Sequence, residues 1–272
     1  MKQKYIVFFL IVFLFAGLTS CVDSEEKAAD EKLESVKALI RDTEYEAAKI
    51  MLDSMEILYP EQYSILNESR KLNELVTLSI NETKLSELKT ELDSQLSSVE
   101  ALKKNFIYIP AAQNRPGDYE FKRQTARNSF NRIFLKAHLN DNGEFYISSN
   151  YYGNTWLSHT YIRVYDADLL AVSDTIRLSN PDNIKYEDGK NRWEEVSYKN
   201  GRDNGVVDLI IKHSDKKLKV RFSGKQFYWI VMEEFDKQAV KEGYELAQVL
   251  KRIYNLKTQI SDCTEKIKRL KK

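Results

Sequence analysis

The most regular pattern of apolar and polar positions lies near the C-terminal end. Leu246, Val249, Ile253, Leu256, Ile260, Cys263, Ile267 and Leu270 recur at alternating steps of three and four residues, and mostly Lys, Arg, Glu and Gln fill the positions between them. A mean step of about 3.5 keeps an apolar seam on one side only where a helix supercoils around a partner. The pattern predicts a coiled-coil helix over 235–272, about 57 Å long at about 1.5 Å per residue. A second seam, Leu85, Leu88, Leu92, Gln95, Val99, Leu102 and Phe106, follows the same alternation with Gln95 as its polar interruption. The two seams flank residues 107–234. An antiparallel pairing sets Leu102 by Leu246, Val99 by Val249, Leu92 by Leu256 and Leu88 by Ile260, with Gln95 against Ile253. Taking Leu246 as position a, however, Ile fills three of the four a sites and Leu two of the four d sites, a composition that favours parallel dimers. The favoured expectation is a monomer with an intrachain coiled coil, because matched seams bracket one insert. A parallel dimer is the alternative.

Ahead of the seam from Leu85 to Phe106, residues near 30–80 carry helical spacing. Leu33, Val36, Leu39 and Ile40 share a face. Thr43 and Glu46 stand at capping-box spacing and predict a helix start, and Pro60 predicts a break. Over 107–234 the period shifts towards two. Candidate strands run over 130–139, 145–149, 160–165, 193–198, 206–212, 218–222 and 226–232, with Asp141-Asn142-Gly143 as a hairpin turn. Short connections predict a meander for the last three, and 179–204 is expected as a long surface excursion around one short strand. The fold class expected is α+β: an N-terminal helical region, and an antiparallel coiled-coil stalk of 84–106 with 235–272 carrying a sandwich-like antiparallel β head.

The chain opens with Lys2 and Lys4, followed by thirteen apolar or small residues from Ile6 to Leu18. A spanning helix needs about 20, so this reads as a secretory signal. Leu18-Thr19-Ser20-Cys21 follows, and it resembles the lipobox of bacterial lipoproteins. That resemblance implies cleavage before Cys21 and acylation of Cys21. The residue after it is Val22, not the Asp that marks inner-membrane retention in some Gram-negative bacteria. Asp23, Glu25 and Glu26 resemble the export signal of Bacteroidota surface lipoproteins. The location implied is the outer membrane, at the cell surface, with a periplasm-facing position as the alternative. Separately, Tyr45, Ala48 and Pro60 resemble one tetratricopeptide unit, but no second copy follows, and an amphipathic helical hairpin is the preferred reading. The organisation expected is a signal peptide over 1–20, an acidic tether over 21–32, a helical region with the first stalk helix over 33–106, the head over 107–234 and the C-terminal helix over 235–272.

Charge narrows the function. The formal net charge is +1, and loss of Lys2 and Lys4 with the signal brings it to −1. A near-neutral, mixed-charge chain argues against a nucleic-acid partner. Cys263 has no second cysteine to pair with once Cys21 is acylated. His138, His159 and His213 are not at metal-ligand spacing, and no phosphate-loop, zinc or serine-nucleophile motif occurs. No catalytic residue, metal site or cofactor is predicted. Glu194 and Glu195 are neighbours in a strand and point to opposite faces. The strongest ligand-binding lead is the aromatic stretch Tyr151, Tyr152, Asn154, Trp156 and His159. Tyr and Trp faces beside polar groups suit sugars or peptides, whereas sixteen tyrosines are also what the core and strand faces of a small β domain need, and that is the preferred reading. The function expected is a lipid-anchored, non-catalytic binding module with a glycan, peptide or envelope-protein partner. An envelope assembly subunit acting through its coiled coil, and a hydrolase whose site is not locally encoded, are the alternatives.

Overall fold

A computed structural model describes residues 24–113 and 115–272. The lipobox, Cys21 and Val22-Asp23 lie outside the described residues. The chain divides into two compact units, one made of residues up to 90 together with 259–272, the other of 91–258. Its class is α+β, with a long N-terminal helical region and antiparallel sheets.

In the first unit, helix α1 covers 24–41. The charged stretch 24–32, expected as part of a tether, is therefore helical. Its Glu, Lys and Ala residues are strong helix formers, and Ala29, Leu33 and Val36 bury one face. Helix α2 is Tyr45–Leu58 and helix α3 is Tyr63–Leu102. Ala48, Leu52 and Met55 of α2 pack with Leu33, Val36, Leu66 and Val76 in one apolar cluster. Thr43 does not cap α2: Glu44 is the N-cap, without a side-chain cap bond. Thr43 instead ends α1. It sits at φ +62°, its N–H donates to Ile40 O at 3.1 Å, and the Glu44 N–H donates to Leu39 O at 2.9 Å. That is the Schellman arrangement, with Thr43 in the left-handed position that glycine usually takes. The break at Pro60 falls where expected, between α2 and α3.

Among its described residues the second unit holds ten strands, labelled in chain order: β1 (Phe106–Ile109), β2 (Asp118–Phe121), β3 (Phe134–Leu139), β4 (Phe145–Gly153), β5 (His159–Asp166), β6 (Leu169–Val172), β7 (Asn183–Asp188), β8 (Asn191–Tyr198), β9 (Lys219–Gly224) and β10 (Phe227–Val231). β1 and β2 form a two-stranded ribbon. The others form two four-stranded sheets, ordered β3-β4-β8-β7 and β10-β9-β5-β6. All pairings are antiparallel. The Asp141-Asn142-Gly143 turn joins β3 to β4 as expected, with Gly143 at φ +77° and its Cα against the backbone of Lys251.

Several expected elements change. Residues 206–212 are not a strand but helix α5 (Val206–Lys212), which buries Val206, Val207 and Ile210. Five apolar residues in a stretch of seven fit either period. Here Gly205 supplies a left-handed N-cap at φ +83°, and Asp208 and Lys212 suit the helix dipole at its two ends. The expected three-strand meander is thus the β9–β10 hairpin alone. Residues 126–129 form a helical turn, α4 (Ala126–Ser129), so β3 starts at Phe134 rather than at 130. The excursion over 179–204 carries two paired strands, β7 and β8, rather than one. The helix expected over 84–106 begins at Tyr63 and ends at Leu102, and Phe106 opens β1.

The long C-terminal helix, α6, is Glu234–Leu270. All eight of its seam residues are buried or half-buried, as are all seven of the seam from Leu85 to Phe106. Within the second unit Arg252 pairs with Glu91 at 2.6 Å. Within the first, Lys271 pairs with Glu82 at 2.7 Å, and Cys263 Sγ lies 3.2 Å from Asn81 O. The start of α6 is tied to β3 through a buried side chain, Gln124. Its Nε2 donates to Leu135 O and to Asp236 Oδ1, both at 2.9 Å, and its Oε1 accepts from Ala137 N at 2.9 Å. Arg132 completes the link to Asp236 at 2.6 Å.

Candidate functional site

The residues of the aromatic stretch do not converge. Tyr151, within β4, and His159, the first residue of β5, are buried. Tyr152 is half-buried, packs on Trp193 at 5.2 Å between centroids and donates to Asn191 Oδ1 at 3.1 Å. Asn154 is exposed. Trp156 is half-buried, and Lys185 and Arg192 stand over its ring at 5.2 and 5.4 Å. The aromatic face offered to solvent is thereby shared with two cations.

His159 has a different role. Its Nδ1 lies 2.7 Å from Glu194 Oε2 and its Nε2 lies 2.8 Å from Ser149 Oγ. The backbone N–H groups of Ser158 and His159 also donate to the Glu194 carboxylate, at 2.8 and 2.9 Å. Burial pushes the Glu194 carboxyl upward, but the His159 and Ser158 hydrogen bonds outweigh it and hold the group below its ordinary value. A carboxylate only accepts, so the Nδ1–H points at Glu194, while Nε2 shares a hydrogen bond with the Ser149 hydroxyl. The order Ser–His–Glu reproduces the connectivity of a hydrolytic triad. Its setting does not. Ser149 and His159 are 0% exposed and Glu194 is 1% exposed, and Ser149 Oγ also meets Tyr198 Oη at 3.1 Å. A nucleophile enclosed on every side meets no substrate carbonyl. Ser149, Glu194 and Tyr198 belong to one four-stranded sheet and His159 to the other, so this network is a polar strut between sheets.

An open groove of about 1020 Å³ in the second unit is built from β2, β3, β4, the turn after β8, α5 and α6. Its floor is His138 stacked on Tyr146, with centroids 4.5 Å apart and planes 4° from parallel. His138 Nε2 pairs with Ser148 Oγ at 2.8 Å. Glu195 Oε1 lies 3.9 Å from the same nitrogen. Burial nevertheless pushes His138 down to about 3, with Lys136 and Lys199 adding to the effect. The imidazole therefore lines the groove as a neutral hydrogen-bonding group. On the walls, Lys136 pairs with Glu120 at 2.8 Å. Lys199 is held by Asp182 at 2.7 Å and lies 5.2 Å above the Tyr146 ring. Burial raises the Asp118 carboxyl and the Tyr146 hydroxyl. Asn200, Asp208 and Gln248 complete a lining of paired charges and amides around an aromatic floor. Such a surface can bind and orient a polar molecule. Among the described residues, no group of three or more His, Cys, Asp or Glu side chains could hold a metal ion.

No local sequence signal marks the groove. His138 stands in a strand like any other residue, and its partners come from five further segments. Comparison of the chain with protein families, with curated proteins and with solved structures gives no match.

Proposed function

We propose that this chain is a lipid-anchored binding module, fixed through Cys21 to the outer membrane at the cell surface, and that its groove binds a polar ligand, a glycan or a peptide. The groove carries the ligand-binding half of this reading. Its volume falls near the upper end of small-ligand sites, which span about 300–1,000 Å³, and its floor is an aromatic stack edged by amides and ion pairs. The lipobox-like Leu18-Thr19-Ser20-Cys21 supports the anchor. Among the described residues, no helix is long and apolar enough to cross a membrane.

The paired seams support an antiparallel intrachain coiled coil of α3 with α6 as the stalk. Every seam position is buried or half-buried, and the Arg252–Glu91 pair and the Cys263–Asn81 contact join lower-numbered residues of one helix to higher-numbered residues of the other. The two four-stranded sheets, bridged by His159, support the sandwich reading of the head.

The test uses the full chain in detergent on glycan and peptide arrays. Retention of a polar ligand that competes for the groove supports the reading. Retention unaffected by Tyr146→Ala and Lys199→Ala contradicts it. Cys21→Ser is expected to abolish incorporation of labelled palmitate; unchanged labelling would contradict the anchor.

A further inference from the structure

The four outer edges of the two four-stranded sheets are treated differently. The β3 edge is capped by the Gln124 amide, which bonds Leu135 O and Ala137 N as a strand would. At the β6 edge, Asn204 Nδ2 donates to Val172 O at 3.0 Å. The β7 edge intersperses Lys185, Glu187 and Asp188 among its apolar residues, the charge pattern that discourages edge pairing. β10 has none of these devices among the described residues. It reads Phe-Tyr-Trp-Ile-Val without a charge, a proline or a bulge. Phe227 is 60% exposed, Trp229 56% and Val231 45%.

The direction of its free backbone groups follows from its bonds to β9. The Met232 N–H donates to Leu218 O at 2.8 Å, and the Gly224 N–H donates to Gln226 O at 3.0 Å. The register between these points is continuous. Even-numbered residues on the β10 side therefore bond towards β9. Phe227, Trp229 and Val231 aim their N–H and C=O groups outward.

The sequence around this edge complements itself. Laid antiparallel on a second copy about Trp229, it places Phe227 opposite Val231, Tyr228 opposite Ile230 and Trp229 opposite Trp229. One step past the next pair, Lys225 meets Glu233 at both ends. A register centred on an odd residue also matches the outward-pointing groups, so the Trp229 pair and the Phe227–Val231 pairs become hydrogen-bonded pairs. Cross-strand aromatic, aromatic–β-branched and opposite-charge pairs each favour such pairing, and an isologous contact of this kind closes after two copies.

We propose that β10 pairs antiparallel with β10 of a second copy of this chain, about a two-fold axis at Trp229, joining two four-stranded sheets into one. The surface is distinct from the α3–α6 seams and from the groove.

Sedimentation of the full chain in detergent tests it. The wild type is expected to run at twice the monomer mass. Trp229→Lys, a change at an exposed site, is expected to weaken the dimer roughly 30-fold or more, the scale of a hot-spot loss. Lys225→Glu or Glu233→Lys alone is expected to weaken it, and the two together to restore it. Trp229→Cys is expected to give a disulfide-linked dimer on oxidation, because facing Cα atoms in hydrogen-bonded pairs stand about 5.5 Å apart, within disulfide reach. A monomer at every concentration overturns the proposal, as does a dimer indifferent to Trp229→Lys. A monomer whose fluorescence is quenched by brominated phosphatidylglycerol vesicles, with the quenching lost in Trp229→Phe, would assign the strand to a lipid surface and overturn it too.

Discussion

Glu194 shows how much one buried side chain can decide. Its two oxygens accept three N–H groups from Ser158 and His159, so Glu194→Ala leaves His159 and both amides facing an apolar gap. Breaking a buried pair in this way costs about 3–5 kcal/mol, which is the loss expected in urea unfolding. The pH dependence has a definite sign. The folded carboxyl titrates below its ordinary value of 4.5, so the unfolded chain takes up the proton first. The contribution of Glu194 is fully present above 4.5 and declines as pH falls from there through the folded value. The stability gap between wild type and Glu194→Gln should narrow over that window; a gap that widens on acidification would contradict the account. Thr43 offers the opposite case. It holds a left-handed conformation at φ +62°, which costs a residue with a Cβ about 1–2 kcal/mol. Thr43→Gly should raise the thermal midpoint, and a lower midpoint would contradict its place in a Schellman motif.

At the scale of elements, legibility follows from how many residues carry the signal. The seam from Leu246 to Leu270 repeats one period over eight residues, and each of them is buried or half-buried. Val206–Lys212 offers seven residues that suit either period, and the choice falls to Gly205 and to burial of Val206 and Ile210 against the sheets. Thr43-x-x-Glu46 matches a capping box by spacing, yet the preceding helix claims Thr43 for its own end. The Asp141-Asn142-Gly143 turn was readable because its chemistry is local. Its tertiary constraint was not readable: a Cβ on Gly143 would collide with the Lys251 backbone of α6. Gly143→Ala combines that collision with a φ of +77°, and should destabilise the chain by about 2 kcal/mol or more. Chemical denaturation measures this, and a neutral effect would mean that the turn does not pack on α6.

The candidate site belongs to the whole molecule. Tyr151, Trp156 and His159 looked like a binding loop because aromatic residues lie close together in sequence. The fold sends Tyr151 and His159 inward and covers part of Trp156 with Lys185 and Arg192. The groove draws Glu120, His138, Tyr146, Lys199, Asp208 and Gln248 from six segments, a convergence that no local pattern encodes. The same holds for Ser149, His159 and Glu194, which only the meeting of two sheets brings within hydrogen-bond reach. The central claim is that this groove binds a polar ligand, and the most direct test is the affinity of an array-selected glycan or peptide for three full-length proteins. Trp156→Ala should bind like the wild type. Tyr146→Ala should bind about tenfold more weakly, a change of about 1.4 kcal/mol. Equal affinity of wild type and Tyr146→Ala, with the loss appearing in Trp156→Ala instead, would contradict it.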